Sequence, residues 1–208
     1  CALPICIVVH NTVAQIDYKQ KLEVYMENFM VNAKREVDRL FFRRIIASNI
    51  IEQREYIFWM WEQKLNNIGL WLYYNEIELR KRFNITESLY EKKYSIIYHL
   101  DSSQESKETN SLKLEIVCDR VDFAYDSDGK KHIIITDYKT GVLPSNSDIS
   151  NWDYPQLVFE GLILSRSPEV ANQAKIMLRY LGLYGAHNKP NIEKWVNFDY
   201  EKNHTIIQ

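Results

Sequence analysis

The segment from Cys118 to Gly141, CDRVDFAYDSDGKKHIIITDYKTG, constrains the fold more than any other. Residues 112–125 alternate apolar and polar side chains as a strand does, and residues 132–139 open on three isoleucines that read as a buried strand. The DSDGKK between them is turn-forming, and Ser127-Asp128-Gly129 suits a three-residue hairpin loop with glycine in the left-handed position. A loop of that length sets the register and brings Asp119 directly opposite Asp137. Two carboxylates facing each other across neighbouring strands destabilise a sheet. A cation between them turns that cost into a site, and hard divalent ions such as Mg²⁺ prefer carboxylate oxygens. Lys139 follows Asp137 by two residues and so shares its face. There an ammonium can orient or deprotonate an attacking water, or stabilise developing charge. Asp122 is the alternative first acid, but three residues beyond Asp119 a regular strand points it the other way. An Asp and a Lys at a strand end are most often plain surface residues. The acid at the matching distance on the neighbouring strand weakens that bland reading.

The rest of the chain supplies the context. Residues 5–16 are apolar and β-branched, which leaves strand and buried helix both open. Residues 17–47 read as a helix through Leu22, Tyr25, Met26, Phe29 and Met30, and residues 51–66 as a second through Ile57, Trp61 and Leu65. A further short helix with its connections is expected over 67–84, an extended segment over 89–99, and a polar loop over 101–111. Residues 144–152 read as an irregular connection and 155–166 as a helix. Residues 174–184 suit a strand or a helix, and 193–199 a last short strand. This order predicts an α/β domain with a central mixed sheet flanked by helices and a helical N-terminal part.

Composition narrows the function classes. A chain of 208 residues suits a single domain, and a net charge of −2 gives no overall basic signature for nucleic acid. Two local basic groups, Arg39 with Arg43 and Arg44, and Arg80 with Lys81 and Arg82, read first as solvated helix faces. No apolar run reaches the roughly 18 residues of a membrane helix, so no membrane partner is expected. Leu3 to Val9 is too short, and too poor in basic residues before it, for a signal peptide. The three cysteines form no CxxC pair, which argues against a disulfide framework and against a four-cysteine zinc or iron–sulfur site. A reducing, cytoplasmic setting fits. The chain begins with Cys1 and not Met, so it is expected to be a C-terminal piece of a longer protein. It contains no GxxxxGK[ST] phosphate loop and hence no ATP motor of its own.

The hairpin segment resembles the core motif of PD-(D/E)xK nucleases of the RecB type, roughly G-x-I-D-R-I-D, a turn, then I-D-Y-K-T-G. The resemblance implies a restriction-endonuclease-like core spanning the whole chain as one domain. It matches Asp119 and Asp137 to the metal-binding acids and Lys139 to the catalytic lysine, with the backbone carbonyl of Tyr138 joining the metal shell. Ile116 departs from the usual glycine. IVVHNTVAQID resembles the early helical segment of the family and matches His10 to a further metal ligand, with Gln15 in place of the usual glutamate. YPQLVFEGLIL resembles the helix after the lysine strand, where Gln156, with Tyr154 beside it, supports the site or holds DNA. Glu160 stands where some relatives carry tyrosine. DYKTGVLPS with the following YPQL and LRYLGLYG is similar to AddB-type nuclease domains without an iron–sulfur cluster. The expected activity is therefore a Mg²⁺-dependent DNA exonuclease, with Mn²⁺ as a substitute ion. It would act on a single strand or duplex end, beside an AddA-like helicase–nuclease subunit, in double-strand break repair and recombination. The alternative is a nuclease-like module that no longer cuts and instead binds DNA or scaffolds a helicase partner.

Overall fold

The computed structural model describes residues 3–45, 51–99, 111–150, 153–168, 170, 174–186, 188–196 and 198. The elements in chain order are α1 (Leu3–Val13), α2 (Leu22–Ile45), α3 (Ile51–Arg82), β1 (Asn84–His99), β2 (Ser111–Tyr125), β3 (Lys131–Lys139), α4 (Asn146–Ser150), α5 (Gln156–Ser165), β4 (Lys175–Gly182) and β5 (Ile192–Val196). The strands form one mixed sheet in the order β1-β2-β3-β4-β5. The chain is thus α/β with a helical N-terminal part, as the sequence pattern predicts. It divides into two compact units, one made of residues 1–83, 138–143 and 180–194, the other of residues 84–137, 144–179 and 195–208. Among the described residues, no helix is long and apolar enough to cross a membrane.

In the first unit, α1 resolves the ambiguity left by residues 5–16 in favour of helix. Val8, Val9, Thr12 and Val13 are buried, and α1 packs on α2. The buried stripe of α2 is Tyr25, Phe29, Ala33 and Val37, one residue every four, the spacing of a single helix face. It packs on α3, where Leu65, Ile68, Leu72 and Leu79 are buried. The expected break near residue 67 is absent, because α3 runs unbroken to Arg82. Gly69, inside α3, serves close approach. A Cβ on it would stand 2.8 Å from the Phe29 ring. Buried Glu36 of α2 accepts hydrogen bonds from Asn11 Nδ2 at 3.0 Å and Arg39 Nε at 2.8 Å, a polar clasp between α1 and α2.

The second unit holds the hairpin. Strand β1 starts at Asn84, earlier than the expected 89, since the β-branched Ile85 and Thr86 follow the end of α3 directly. Of the expected polar loop, residues 101–110 lie outside the described residues and Ser111 already opens β2. Strands β2 and β3 pair antiparallel from Tyr125–Lys131 to Arg120–Thr136. The Asp126 N–H donates to the Lys130 carbonyl at 3.0 Å, which leaves the loop Ser127-Asp128-Gly129, with Gly129 at φ 76°. Loop length, glycine position and register are those expected. The segment 144–152 differs from its irregular reading, for Asn146–Ser150 forms the short helix α4. The Ser145 hydroxyl accepts from the Asp148 N–H at 3.1 Å, and the Asp148 carboxylate accepts from the Ser145 N–H at 2.7 Å. This reciprocal pair is a capping box. Residues 174–184 resolve as strand β4.

Asp126 anchors the turn. Its carboxylate accepts from the backbone N–H groups of Asp128 and Lys130 at 3.0 and 2.9 Å and from His132 Nε2 at 2.8 Å. The His132 hydrogen bond, then the backbone N–H groups, hold its pKa below the ordinary 3.8. A depressed carboxylate contributes stability above the unfolded value and loses it as the pH falls through the folded one. Asp126→Asn is therefore expected to melt below the wild type at neutral pH, with the gap narrowing once the pH drops under 3.8. Thermal melts of both proteins across an acid series check this. A gap that stays constant with pH would remove the charge from the account.

Candidate functional site

The site is built from the helix that follows the lysine strand. Helix α5 begins after Pro155, and its buried residues are Leu157, Val158, Glu160, Gly161, Leu162, Ile163 and Leu164. It packs on β1 and β2. One charged residue lies in that apolar run. Glu160 is only 3% exposed, so it requires polar partners, because an isolated buried charge is costly. One partner is Gln156, a turn earlier. The Gln156 Nε2 amide donates at 3.1 Å to Glu160 Oε1 and at 3.0 Å to Oδ1 of Asp137. Asp137 is itself 1% exposed on β3. An ionised carboxylate only accepts, so the NH₂ of the amide faces both acids. Beside Asp137, Thr136 accepts from the buried Arg179 of β4 at 2.7 Å.

Cys118 reports on the charge around these groups. Its thiol is fully buried. Burial, then the negative charges of Glu160, Asp119 and Asp137, push its pKa far above the ordinary thiol range. Cys118 therefore lies in the negative field of three carboxylates. Burial and that field disfavour its thiolate.

The sequence-derived residues fall as follows. Asp119 and Asp137 are the next residues on their strands beyond the Arg120–Thr136 pair that ends the ladder. Asp119 is half-buried. Opposite it on β1, between the paired Tyr90–Arg120 and Lys92–Cys118, Glu91 adopts φ 49°. A non-glycine residue in the left-handed region costs about 1–3 kcal/mol, and the ladder keeps its register on both sides of it. Asp122 is occupied elsewhere. It is fully buried, with Oδ1 accepting from Arg120 Nε at 2.8 Å and from the Ser88 hydroxyl at 2.6 Å. Gln156 is brought onto Asp137, whereas Tyr154 is 52% exposed.

Lys139 and Tyr138 close β3 and belong to the first unit. There the Lys139 carbonyl accepts from the Leu183 N–H at 2.7 Å, and its Nζ stands 6.0 Å from the Tyr180 ring centre. The Tyr138 side chain is buried. His10 lies in α1, and its side chain is outside the described residues. Among the described residues, no group of three or more His, Cys, Asp or Glu is gathered closely enough to hold a metal. The donor chemistry nonetheless suits a hard divalent ion, since Asp119 and Asp137 offer carboxylate oxygens. Glu160 is the residue that sequence reading treats only as a departure from a pattern. A single acid in LVFEGLIL, four residues after a glutamine, was the signal of a buried, partnered carboxylate. No protein-family model matches the chain, and no curated protein matches it.

Proposed function

We propose that this chain is a Mg²⁺-dependent deoxyribonuclease domain of the RecB/AddB type. It hydrolyses phosphodiester bonds in a single strand or at a duplex end. Its setting is cytoplasmic, beside an AddA-like helicase–nuclease subunit in double-strand break repair and recombination. The observation that supports the reading is the hydrogen-bonded set Asp137, Gln156 and Glu160, with Asp119 next beyond the paired Arg120 on the neighbouring strand, on a hairpin whose β3 strand ends at Lys139. Asp119 and Asp137 would hold Mg²⁺, or Mn²⁺ in its place. The Tyr138 carbonyl and His10 join them on resemblance. When bound, such an ion neutralises charge on the scissile phosphate and acidifies water. Lys139 orients the attacking water and stabilises the charge that develops as it adds. Gln156 holds the Asp137 carboxylate.

The test is cleavage of labelled linear single-stranded DNA with Mg²⁺, Mn²⁺ or EDTA. Cutting is expected with either metal and not with EDTA, and Asp137→Asn should lower it by about 100-fold or more. Equal cutting of closed circular duplex would count against a role at DNA ends. A folded chain that neither cuts nor binds Mn²⁺ would shift the assignment to a nuclease-like module that binds DNA or a helicase subunit.

A further inference from the structure

We propose that Glu160 is a positioning residue for Asp137, acting through the Gln156 amide; this rests on the reading above, in which Asp137 holds the metal. Glu160 touches neither substrate nor metal in this scheme. Its carboxylate is buried within an apolar helix, a placement that the sequence would not keep for solubility. What it does there is visible in the hydrogen bonds. The Gln156 amide has two N–H groups, and both are directed at acids, one to Asp137 Oδ1 at 3.0 Å and one to Glu160 Oε1 at 3.1 Å.

Gln156 as a residue is exposed. Held by Asp137 alone, its three-bond side chain would keep much of its rotamer freedom, and the amide could turn over. The second carboxylate, one helical turn away, pins the plane of the amide. It also decides which end faces the acids, because a carboxylate cannot accept from the carbonyl end. The pinned amide in turn fixes the rotation of the Asp137 carboxylate. Outer partners of this kind commonly set metal affinity over a 10–100-fold range.

The experiment is Mn²⁺ binding to the full chain, followed by the paramagnetic resonance of the free ion. The variants are Asp137→Asn, Gln156→Met, Glu160→Met, Glu160→Gln and the Gln156→Met/Glu160→Met pair. Glu160→Met removes the acceptor at similar volume and should weaken Mn²⁺ about 10-fold. Glu160→Gln keeps an acceptor oxygen and should restore most of that loss. The double variant should bind no more weakly than Gln156→Met alone, since both changes cut one chain of contacts.

Additive losses, or no rescue by Glu160→Gln, would overturn a role exerted through the amide. Wild-type affinity in Glu160→Met would do so too, while leaving Asp137 as the metal acid if Asp137→Asn still abolishes binding. Failure of the wild type to bind, or binding unchanged by Asp137→Asn, would instead bring down the metal reading and this role with it. Should Glu160→Met not fold, the side-chain amide resonances of Gln156 decide the matter in the wild type. Side-chain N–H groups that exchange with solvent far more slowly than those of an exposed glutamine support the pinned amide, and exchange at the exposed rate excludes it.

Discussion

Lys139→Ala is expected to lower metal-dependent DNA cleavage by about 10²–10⁴-fold while leaving Mn²⁺ affinity within about twofold of wild type. The separation follows from position and chemistry. Lys139 ends the strand that carries Asp137, and its backbone is fixed by the 2.7 Å hydrogen bond from Leu183. An ammonium is not a metal ligand, so removing it should not empty the site. What it supplies is a compact charge with three donors, usable by water and by the phosphate oxygens in the transition state. A loss of that size corresponds to about 3–5 kcal/mol of transition-state stabilisation. Lys139→Arg should recover little, because a guanidinium is planar, always protonated and differently placed. Single-turnover cleavage with saturating metal, set beside the Mn²⁺ titration, gives both numbers. Cleavage at the wild-type rate would remove Lys139 from the chemistry. A parallel fall in Mn²⁺ affinity would mean that its part is structural.

How far the sequence reveals this arrangement depends on the range of the forces involved. The hairpin was legible because turn chemistry and the two-residue alternation of a strand are local. Gly129 in the left-handed region and the ladder from Tyr125–Lys131 to Arg120–Thr136 agree with what Ser127-Asp128-Gly129 dictates. The capping box at Ser145 and Asp148 was equally local, and the S-x-x-D pattern that makes α4 stood open to reading. The continuity of α3 was not legible. Gly69 costs helix stability in isolation, and only the approach of Phe29 from α2 accounts for it.

The candidate site mixes both kinds. The identities Asp119, Asp137, Lys139 and Gln156 come from a motif along the chain. That Gln156 reaches Asp137 as well as Glu160 depends on where α5 lies against the hairpin, which no local rule supplies. The left-handed Glu91 beside Asp119 is likewise invisible in sequence, since glutamate has no preference for that region. The choice between Asp119 and Asp122 turns on Arg120. Its neighbours in sequence do not reveal that this arginine would be buried at 1% exposure and would take Asp122 as its partner.

Asp122→Ala is expected to cost about 3–5 kcal/mol of stability and to leave Mn²⁺ affinity unchanged. Arg120 and Asp122 are 1% and 0% exposed at the side chain and 2.8 Å apart. Ser88 donates to the same Asp122 oxygen at 2.6 Å, and the guanidinium carbon lies 5.6 Å from the Tyr90 ring centre. Desolvation makes such a pair a poor source of net stability, yet breaking it leaves a guanidinium buried without its counter-charge. The cost therefore belongs to the orphaned arginine and not to a lost attraction. Replacing both, as Arg120→Met with Asp122→Leu, should recover most of it, because apolar groups of similar volume incur no such penalty. Asp119→Asn should behave in the opposite way. It removes a half-buried acid close to Asp137 and Glu160, so stability should hold or rise slightly while Mn²⁺ affinity collapses. Denaturant titrations of the four proteins, each with a Mn²⁺ isotherm, separate the two aspartates. If Asp122→Ala lost metal at little cost in stability, and Asp119→Asn did the reverse, the assignment of the first acid would pass to Asp122.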